Sequence, residues 1–234
     1  DIALKAEMPA STALRFLNTL VKCGYARQDQ NTLRYSLSLK FMYIGSLVSS
    51  QTSIRDIAHP YLLELSRKCN ESVCLGIEQD MEIVYIDVID GPDGMLKITQ
   101  RIGKLAPIHS TGIGKVMLLN YDSKQLNQMI AVKGLKPLTP NTITSKDELM
   151  KELDNVRRQG YSLDNEECEL GARCLSAGVR DYTGKYVAGI SVSGPSTRMT
   201  MEYISSIKNI VVETANKISE MLAFNEHENV DFIK

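Results

Sequence analysis

The most informative hydrophobic pattern lies near the start of the chain, where apolar and polar residues separate onto two faces of one predicted helix. Leu14, Leu17 and Val21 are spaced by three and four residues, which places them on one side of a helix. Pro9 suits a first helical turn and Gly24 suits the position just past a helix end, so the helix is expected between them. Another face of the helix is polar and carries Ser11, Arg15, Asn18 and Lys22.

The polar face of this helix is chemically suited to DNA. Its hydroxyl, guanidinium, amide and ammonium groups match phosphate oxygens and base edges in a major groove. An ordinary amphipathic surface helix is the alternative interpretation, since many such helices carry a mixed polar stripe.

The residues after the helix favour the DNA interpretation. Residues 25–27 and 33–36 predict two short strands around a polar turn at 28–32. A helix, a glycine and a small hairpin in this order are typical of a winged helix-turn-helix. Residues 1–8 resemble the end of the supporting helix, so we expect the first helix of the motif to be missing from this sequence.

A helical pattern continues beyond the predicted wing. Residues 37–50 place Leu37, Phe41, Ile44 and Val48 on one face, and residues 54–67 form a second apolar face after a polar run. We therefore predict a winged helix-turn-helix domain over 1–36, a linker helix over 37–51 and a further domain over 52–234. One continuous domain is the alternative.

The second part of the chain mixes short strands and helices. Antiparallel strands with helices grouped on one face predict an α+β fold. The predicted strands cover residues 73–79, 82–88, 96–99, 174–181 and 185–193. The predicted helices cover residues 112–120, 146–159 and 201–222, with a Pro/Thr-rich loop at 136–144.

Composition and charge limit the function. Hydrophobic residues at 43% and charged residues at 24% describe an ordinary soluble protein. No apolar run approaches the roughly 18 residues of a membrane span and no signal peptide is visible, which predicts a cytoplasmic protein. The net charge is −1, but residues 1–40 hold six basic against three acidic residues, a net of +3. A basic N-terminal segment followed by a mildly acidic chain favours a DNA-binding domain attached to another domain.

The cysteines argue against a disulfide framework, because the five are odd in number and form no C-x-x-C pair. Zinc is an alternative, with His109, Glu167, Cys168 and Cys174 as conceivable ligands, although paired spacing is absent. Catalysis by Cys174 with His109 as base is another, although no third orienting group is evident. The sequence therefore predicts no enzyme, no metal and no cofactor.

Residues 107–115 predict an anion-binding site. This segment runs from a loop into a helix and carries Gly112 and Gly114 at the helix start, which leaves backbone N–H groups free. The spacing is not that of a P-loop. A tight turn with an N-cap is the alternative.

A second polar segment covers residues 160–174 and is completed by residues 191–195. Alternation along a strand places Ser191 and Ser193 on the same face, where they can converge with Asp164 and Cys174 on one pocket. The alternative is a solvated carboxylate, a buried thiol and hydroxyls bonded to backbone.

These motifs, in this order, resemble the IclR family of transcriptional regulators over residues 1–224. The family signature is a Gly, three residues, Asp or Ser, two residues, Glu, six residues and a small residue. Here it is matched by Gly160, Asp164, Glu167 and Cys174, and it continues with Leu175, Ser176, Val179 and Asp181. Arg180 departs from the family, which has an aromatic residue or His there.

The resemblance implies a GAF-like C-terminal domain that binds a small organic acid. By resemblance, the ligand contacts are the backbone at Gly112 and Ile113 and the side chains of Asp164, Cys174, Ser191 and Ser193. The implied apolar lining is Met95, Ile98 and Ala106. In the first domain, the reading end of the recognition helix holds Ser11, Thr12 and Arg15.

Within the family, the chain is most similar to the subgroup that regulates pectin and hexuronate breakdown, whose effector is 2-keto-3-deoxygluconate. The similarity lies in residues 35–40, 100–103, 142–145 and 159–167. It implies a repressor that binds a palindromic operator as a homodimer or tetramer and responds to the acid through the linker helix. The alternatives are a sensor of pyruvate-like, glyoxylate-like or aromatic acids, a sensor whose output is not DNA binding, and an enzyme built on the C-terminal domain.

Overall fold

The chain divides into two units, Asp1–Ser53 and Ile54–Lys234. A computed structural model describes residues 1–51, 53–91 and 100–225. The first unit contains α1 (Ile2–Lys5), α2 (Ala10–Lys22), β1 (Ala26–Gln28), β2 (Tyr35–Leu37) and α3 (Lys40–Gln51).

The predicted recognition helix is present as α2. Pro9 is its N-cap and so lies just before the first turn, with φ of −58° and ψ of 141°. Gly24 has a φ of +77°, a conformation that favours glycine just past a helix end. Ala13 is buried, whereas Leu14 and Val21 of the apolar stripe are 52% and 37% exposed within this unit.

The helix after the wing begins later than predicted. Leu37 is paired with Ala26 in the antiparallel β1–β2 hairpin, so it belongs to a strand. Ser38 then ends the hairpin: its amide donates to the Tyr25 carbonyl, and its hydroxyl accepts from the amide of Lys40 at 3.2 Å. The helix therefore begins at Lys40, and the predicted start at Leu37 is wrong.

The second unit is built on one antiparallel sheet of six strands in the order β5-β4-β3-β8-β7-β6. Its strands are β3 (Ser72–Gln79), β4 (Glu82–Ile89), β5 (Leu105–Pro107), β6 (Ser162–Asn165), β7 (Ala172–Arg180) and β8 (Tyr186–Pro195). Its helices are α4 (Ile54–Cys69), α5 (Gly112–Met117), α6 (Ser123–Lys133), α7 (Lys146–Gln159) and α8 (Met201–Met221), with a 3₁₀ turn at Leu118–Asn120. The α+β fold class is confirmed.

Helices cover both faces of this sheet, so the prediction of helices on one face is wrong. Val73 and Leu75 of β3 pack in a core with α4 and α8. Cys74, between them, faces a second core that contains α5, α6 and α7. Consecutive residues of a strand point to opposite faces, and here both sets are buried. The sequence of a strand that is buried on both faces does not alternate between polar and apolar residues. The orientation of its side chains therefore cannot be predicted from the sequence pattern.

Three short elements were not predicted, namely β5, α6 and β6. The start of α6 had a readable signal, because Asp122 and Gln125 form a reciprocal capping box. The other predicted helices and strands of the second unit are present with bounds shifted by a few residues, except that the strand at 96–99 lies outside the described residues. Within the described ranges, no helix has the length and apolar character to cross a membrane.

Candidate nucleic-acid interface and ligand pocket

The polar face predicted for α2 exists as a continuous exposed surface. Ser11, Arg15, Asn18 and Lys22 line one shallow groove along the helix. Thr12 does not line this groove and is half-buried. Neither Arg15 nor Lys22 has an acidic partner among the described residues. Both cations are therefore available to phosphate oxygens or base edges.

The hairpin next to α2 has a locally fixed tip. The Asp29 carboxylate accepts hydrogen bonds from the amides of Thr32 and Asn31 at 2.7 and 3.0 Å. These bonds, those from Thr32 first, lower the pKa of Asp29. Arg27 and Arg34 are exposed on the two arms of the hairpin. The hairpin thus presents two cations on a short, hydrogen-bonded loop, as a wing does when it contacts a DNA backbone.

In the second unit, a cavity of about 200 Å³ opens beside the first turn of α5. Its floor is the sheet, where strand pairing places small polar residues in two rows across neighbouring strands. The first polar row is Ser162, Ser176, Ser191 and Cys74. The second polar row is Asp164, Cys174, Ser193 and Ser72. The two rows are two residues apart along each strand, a separation of roughly 7 Å.

A third row, of glycines, lets α5 approach the sheet closely. Gly178, Gly189 and Gly76 are paired across β7, β8 and β3, two residues from the first polar row. A Cβ on Gly189 would lie 2.8 Å from Ile113 Cγ2, and a Cβ on Gly178 would lie 2.5 Å from Val116 Cγ1. Because glycine has no side chain, α5 can pack close to the sheet, and its first turn lies directly above Ser176.

The first turn of α5 presents unpaired backbone donors to the cavity. Thr111 is the N-cap, and its hydroxyl accepts from the Gly114 amide at 3.1 Å while it donates to the Pro107 carbonyl at 2.8 Å. The amides of Gly112 and Ile113 have no acceptor among the described residues, and both residues line the cavity. Two such N–H groups can bind a carboxylate without any cationic side chain.

Asp164 closes the cavity at the other polar row. Its Oδ1 accepts from the amides of Glu167 at 2.8 Å and Cys168 at 3.2 Å, which forms a tight turn after β6. Burial raises the pKa of Asp164, and these two amides and the Lys115 ammonium oppose that rise. The buried carboxyl is a strong acceptor for ligand hydroxyl groups.

Lys115 connects α5 to this turn. The side chain is 1% exposed and its ammonium donates to Glu167 Oε1 at 2.5 Å, to the Leu163 carbonyl at 2.7 Å and to Glu152 Oε1 at 3.1 Å. A buried ammonium needs such partners because its desolvation is costly. Lys115 therefore holds the residues around Asp164 in a fixed position relative to the Gly112 and Ile113 amides.

The structure brings together most of the predicted ligand residues. Gly112, Ile113, Asp164, Cys174 and Ser191 line the cavity, as does Ala106 of the implied apolar lining. Ser193 is not one of its lining residues, and its hydroxyl lies 3.4 Å from that of Ser191. Met95 and Ile98 lie outside the described residues.

Several cavity residues were missed by sequence reasoning. Ser176 and Tyr85 are buried in the wall, and Gln100 and Lys104 lie on the side of β4 and β5. Ser176 had a signal, because it is two residues from Cys174 in a strand and so shares its face. Tyr85 had none, since its sequence neighbours do not reveal which face of the sheet it occupies.

The surroundings of His109, Cys168 and Cys174 disfavour the charged forms of these side chains. His109 Nε2 lies 3.1 Å from the Lys136 carbonyl, and burial lowers the pKa of this imidazole. Burial raises the pKa of Cys168 to about 12 and that of Cys174 well above its ordinary value, so both are protonated thiols. No group of three or more His, Cys, Asp or Glu side chains is arranged around a metal-sized site in the described ranges.

Comparison with known proteins gives consistent matches to one family. Residues 46–220 match the model described as Bacterial transcriptional regulator IclR C-terminal, and residues 1–30 match the IclR helix-turn-helix domain. HTH-type transcriptional regulator KdgR of Escherichia coli K12 is 35% identical over 97% of this chain and 86% of its own length. HTH-type transcriptional repressor AllR of the same strain is 30% identical over 97% of this chain and 83% of its own length. The crystal structure of Thermotoga maritima IclR is 34% identical, with a TM-score of 0.70 over 95% of this chain and 90% of that one.

Proposed function

Because the chain belongs to the IclR family of bacterial transcriptional regulators, we propose that it is a repressor released by a small 2-keto sugar acid. The observation that carries the ligand proposal is a convergence of groups in one cavity. The acceptor-free amides of Gly112 and Ile113 share it with the Ser191 hydroxyl and the Asp164 carboxyl. The acid acts in the cytoplasm, where the operator is.

The acid is bound with its carboxylate toward α5. The Gly112 and Ile113 amides receive the carboxylate, and the Ser191 hydroxyl contacts the 2-keto oxygen. Ser193, whose hydroxyl lies 3.4 Å from that of Ser191, supports it from outside the cavity lining. Asp164 accepts hydrogen bonds from hydroxyl groups farther along the sugar chain. A cavity of about 200 Å³ is smaller than the roughly 300–1,000 Å³ of drug-sized sites, which favours a metabolite of few carbons.

The effector identity is supported by the similarity to KdgR and by the subgroup motifs in residues 159–167. A sugar acid also explains a buried carboxyl in the site better than an aromatic acid does. An aromatic ring offers no row of hydroxyl donors, so Asp164 would keep only the amides of Glu167 and Cys168 as partners.

The DNA-binding part of the proposal rests on α2. A homodimer presents two copies of α2 to the half-sites of a palindromic operator. Ser11, Thr12 and Arg15 lie at the end that reads bases, and Asn18 and Lys22 follow on the same surface. Effector binding favours one arrangement of the two DNA-binding domains and so changes the affinity for the operator. The helix α3 connects each DNA-binding domain to its effector-binding domain.

The ligand part is tested by calorimetric titration of the full-length protein with 2-keto-3-deoxygluconate, pyruvate and 4-hydroxybenzoate. We expect saturable binding of the sugar acid, and loss of binding in the Ser191→Ala/Ser193→Ala double variant. Ser206→Ala, on the exposed face of α8, is the matched control. Binding of only pyruvate or only the aromatic acid refutes the sugar-acid assignment and retains a ligand-controlled regulator.

The DNA part is tested by gel shift on an operator selected by the wild-type protein from random-sequence DNA. Arg15→Ala is expected to weaken specific binding about 10- to 100-fold, because a bidentate base contact is lost. The exposed Arg157→Ala of α7 serves as control. The acid must release the wild-type protein from this operator. Loss of both DNA and acid binding in Arg15→Ala would mean that Arg15 supports the fold.

A further inference from the structure

Two hydroxyl groups in the cavity wall have no hydrogen-bond partner among the described residues. The Ser176 Oγ atom is fully buried and unpaired. Tyr85 is 6% exposed, and its hydroxyl forms no hydrogen bond with another described residue. A fully buried oxygen without a partner costs about 1–3 kcal/mol, and Ser176 Oγ is such an atom, as is Gln100 Oε1, which also lines the cavity. Together with the Tyr85 hydroxyl in the cavity wall, these atoms point to a polar occupant of the cavity.

The orientation of Tyr85 results from an irregularity in β4. The β3–β4 register shifts between Leu75 and Gly76, so that Leu75 pairs with Asp87 while Gly76 pairs with Tyr85. Asp87 consequently faces α4, where its carboxylate contacts His59 at 2.6 Å. Tyr85 faces the opposite side and lines the cavity. The extra residue in β4 is a β-bulge, a device that redirects a side chain into a site.

The two hydroxyls serve different ends of the cavity. Ser176 belongs to the first polar row and lies directly beneath Gly112, at the carboxylate end. Tyr85 lies on β4, three strands from Ser176 on β7 in the sheet order, so the two hydroxyls reach the cavity from opposite sides. Neighbouring strands are roughly 4.8 Å apart, which separates β4 from β7 by roughly 14 Å, and the phenol ring covers part of that distance. A three-carbon 2-keto acid bound at Gly112 leaves a gap to Tyr85, whereas an extended six-carbon sugar acid reaches it.

We propose that Tyr85 and Ser176 are additional ligand-binding residues, and that Tyr85 selects acids whose chain carries hydroxyl groups beyond the keto carbon. This inference rests on the proposed function. Ser176 contacts the carboxylate end that every 2-keto acid shares. Tyr85 contacts a hydroxyl group at the end that only the longer acid reaches. Ser176 thus contributes to the affinity for any 2-keto acid, whereas Tyr85 contributes to the selection of chain length.

Calorimetry on the full-length protein tests this division with two acids and two conservative variants. Tyr85→Phe is expected to weaken 2-keto-3-deoxygluconate about 3- to 10-fold, the effect of losing one neutral hydrogen bond. Its affinity for pyruvate stays at the wild-type value. Ser176→Ala is expected to weaken both acids by a similar factor. Tyr182→Phe, at a position 71% exposed, and Ser206→Ala are the matched controls.

Tyrosine absorption supplies a second measurement that a packing role does not affect. The chain has ten tyrosines and no tryptophan, so a tyrosine difference spectrum is not masked. The sugar acid at saturation must produce a difference spectrum in the wild type that Tyr85→Phe abolishes and Tyr182→Phe retains. A spectrum that persists in Tyr85→Phe overturns the assignment, even where that variant has lost stability.

The outcomes separate this inference from the function on which it rests. A wild-type protein that binds neither acid refutes the proposed function and, with it, the ligand contacts. Wild-type binding with no loss in Tyr85→Phe refutes the role of Tyr85 alone. Equal loss of both acids in Tyr85→Phe also overturns it, because a residue that reads chain hydroxyls does not affect pyruvate.

Discussion

Because α5 packs directly against the glycines of the sheet, we predict that replacing one of them by alanine weakens ligand binding in the pocket. In Gly189→Ala the new Cβ lies 2.8 Å from Ile113 Cγ2, whereas carbon atoms in contact are about 3.5–4.0 Å apart. The β-branched Ile113 side chain has little freedom to turn away, so α5 must move by roughly 1 Å. Overpacking of this kind costs about 1–3 kcal/mol, which lowers the melting temperature by about 2–12 °C.

The larger effect is expected on the ligand. A shift of roughly 1 Å takes the Gly112 and Ile113 amides out of hydrogen-bond range of a bound carboxylate. Losing even one charge-assisted bond of about 1.5–3 kcal/mol weakens the acid about 10- to 100-fold. Calorimetry gives the affinity, and thermal unfolding of the same samples gives the stability.

A second substitution tests whether the clash itself is the cause. Ile113→Leu has no branch at Cβ and nearly conserves volume, so it removes the contacting Cγ2 atom. We expect Gly189→Ala/Ile113→Leu to bind the acid more tightly than Gly189→Ala alone. Gly45→Ala, where the new Cβ meets no atom within 4 Å, is the control for the substitution. Wild-type affinity in Gly189→Ala, or no recovery in the double variant, refutes the reasoning.

Two further predictions concern buried charge around the cavity. The pKa of Asp164 is raised above its ordinary 3.8. Its protonated form therefore stabilises the fold fully below pH 3.8, and this contribution to the free energy of unfolding is lost as the pH rises through the raised pKa. Asp164→Asn keeps an accepting oxygen but does not ionise. Its melting temperature should therefore exceed that of the wild type at pH 8, and the difference should shrink toward pH 4. A difference that grows on acidification contradicts this. Lys115→Met leaves Glu167 buried without its counter-charge and should cost about 3–5 kcal/mol in denaturant unfolding. Lys133→Met, which breaks a pair with both side chains about one-third exposed, should cost less than about 1 kcal/mol, and equal losses would refute the role given to Lys115.

Much of the ligand pocket was predictable from alternation and glycine placement. Ser191 and Ser193 are two residues apart in one strand, and the free amides of Gly112 and Ile113 follow from their position at a helix start. Alternation did not reveal, however, that Ser191 lines the cavity and Ser193 does not. That difference depends on which elements pack over the strand, which no local pattern encodes.

The role of Tyr85 was beyond sequence reasoning for a different reason. Residues on both faces of β4 are buried, so neither face can be identified as the solvent side. The face of Tyr85 is then set by the register shift opposite Gly76, a property of strand pairing. The late start of α3 has the same origin, since Leu37 is held in a strand by its pairing with Ala26.

The glycine row has a consequence for how this pocket can be altered. With no side chain at Gly76, Gly178 or Gly189, the height of α5 above the sheet is a property of the backbone. The side of the pocket where α5 meets the glycine row is thus a fixed frame, and a side chain added there moves the helix. The end near Tyr85 and Gln100 consists of side chains and can be changed one residue at a time. A library designed for new effectors should leave the glycines untouched and vary that end, where a change in ligand preference need not alter the scaffold.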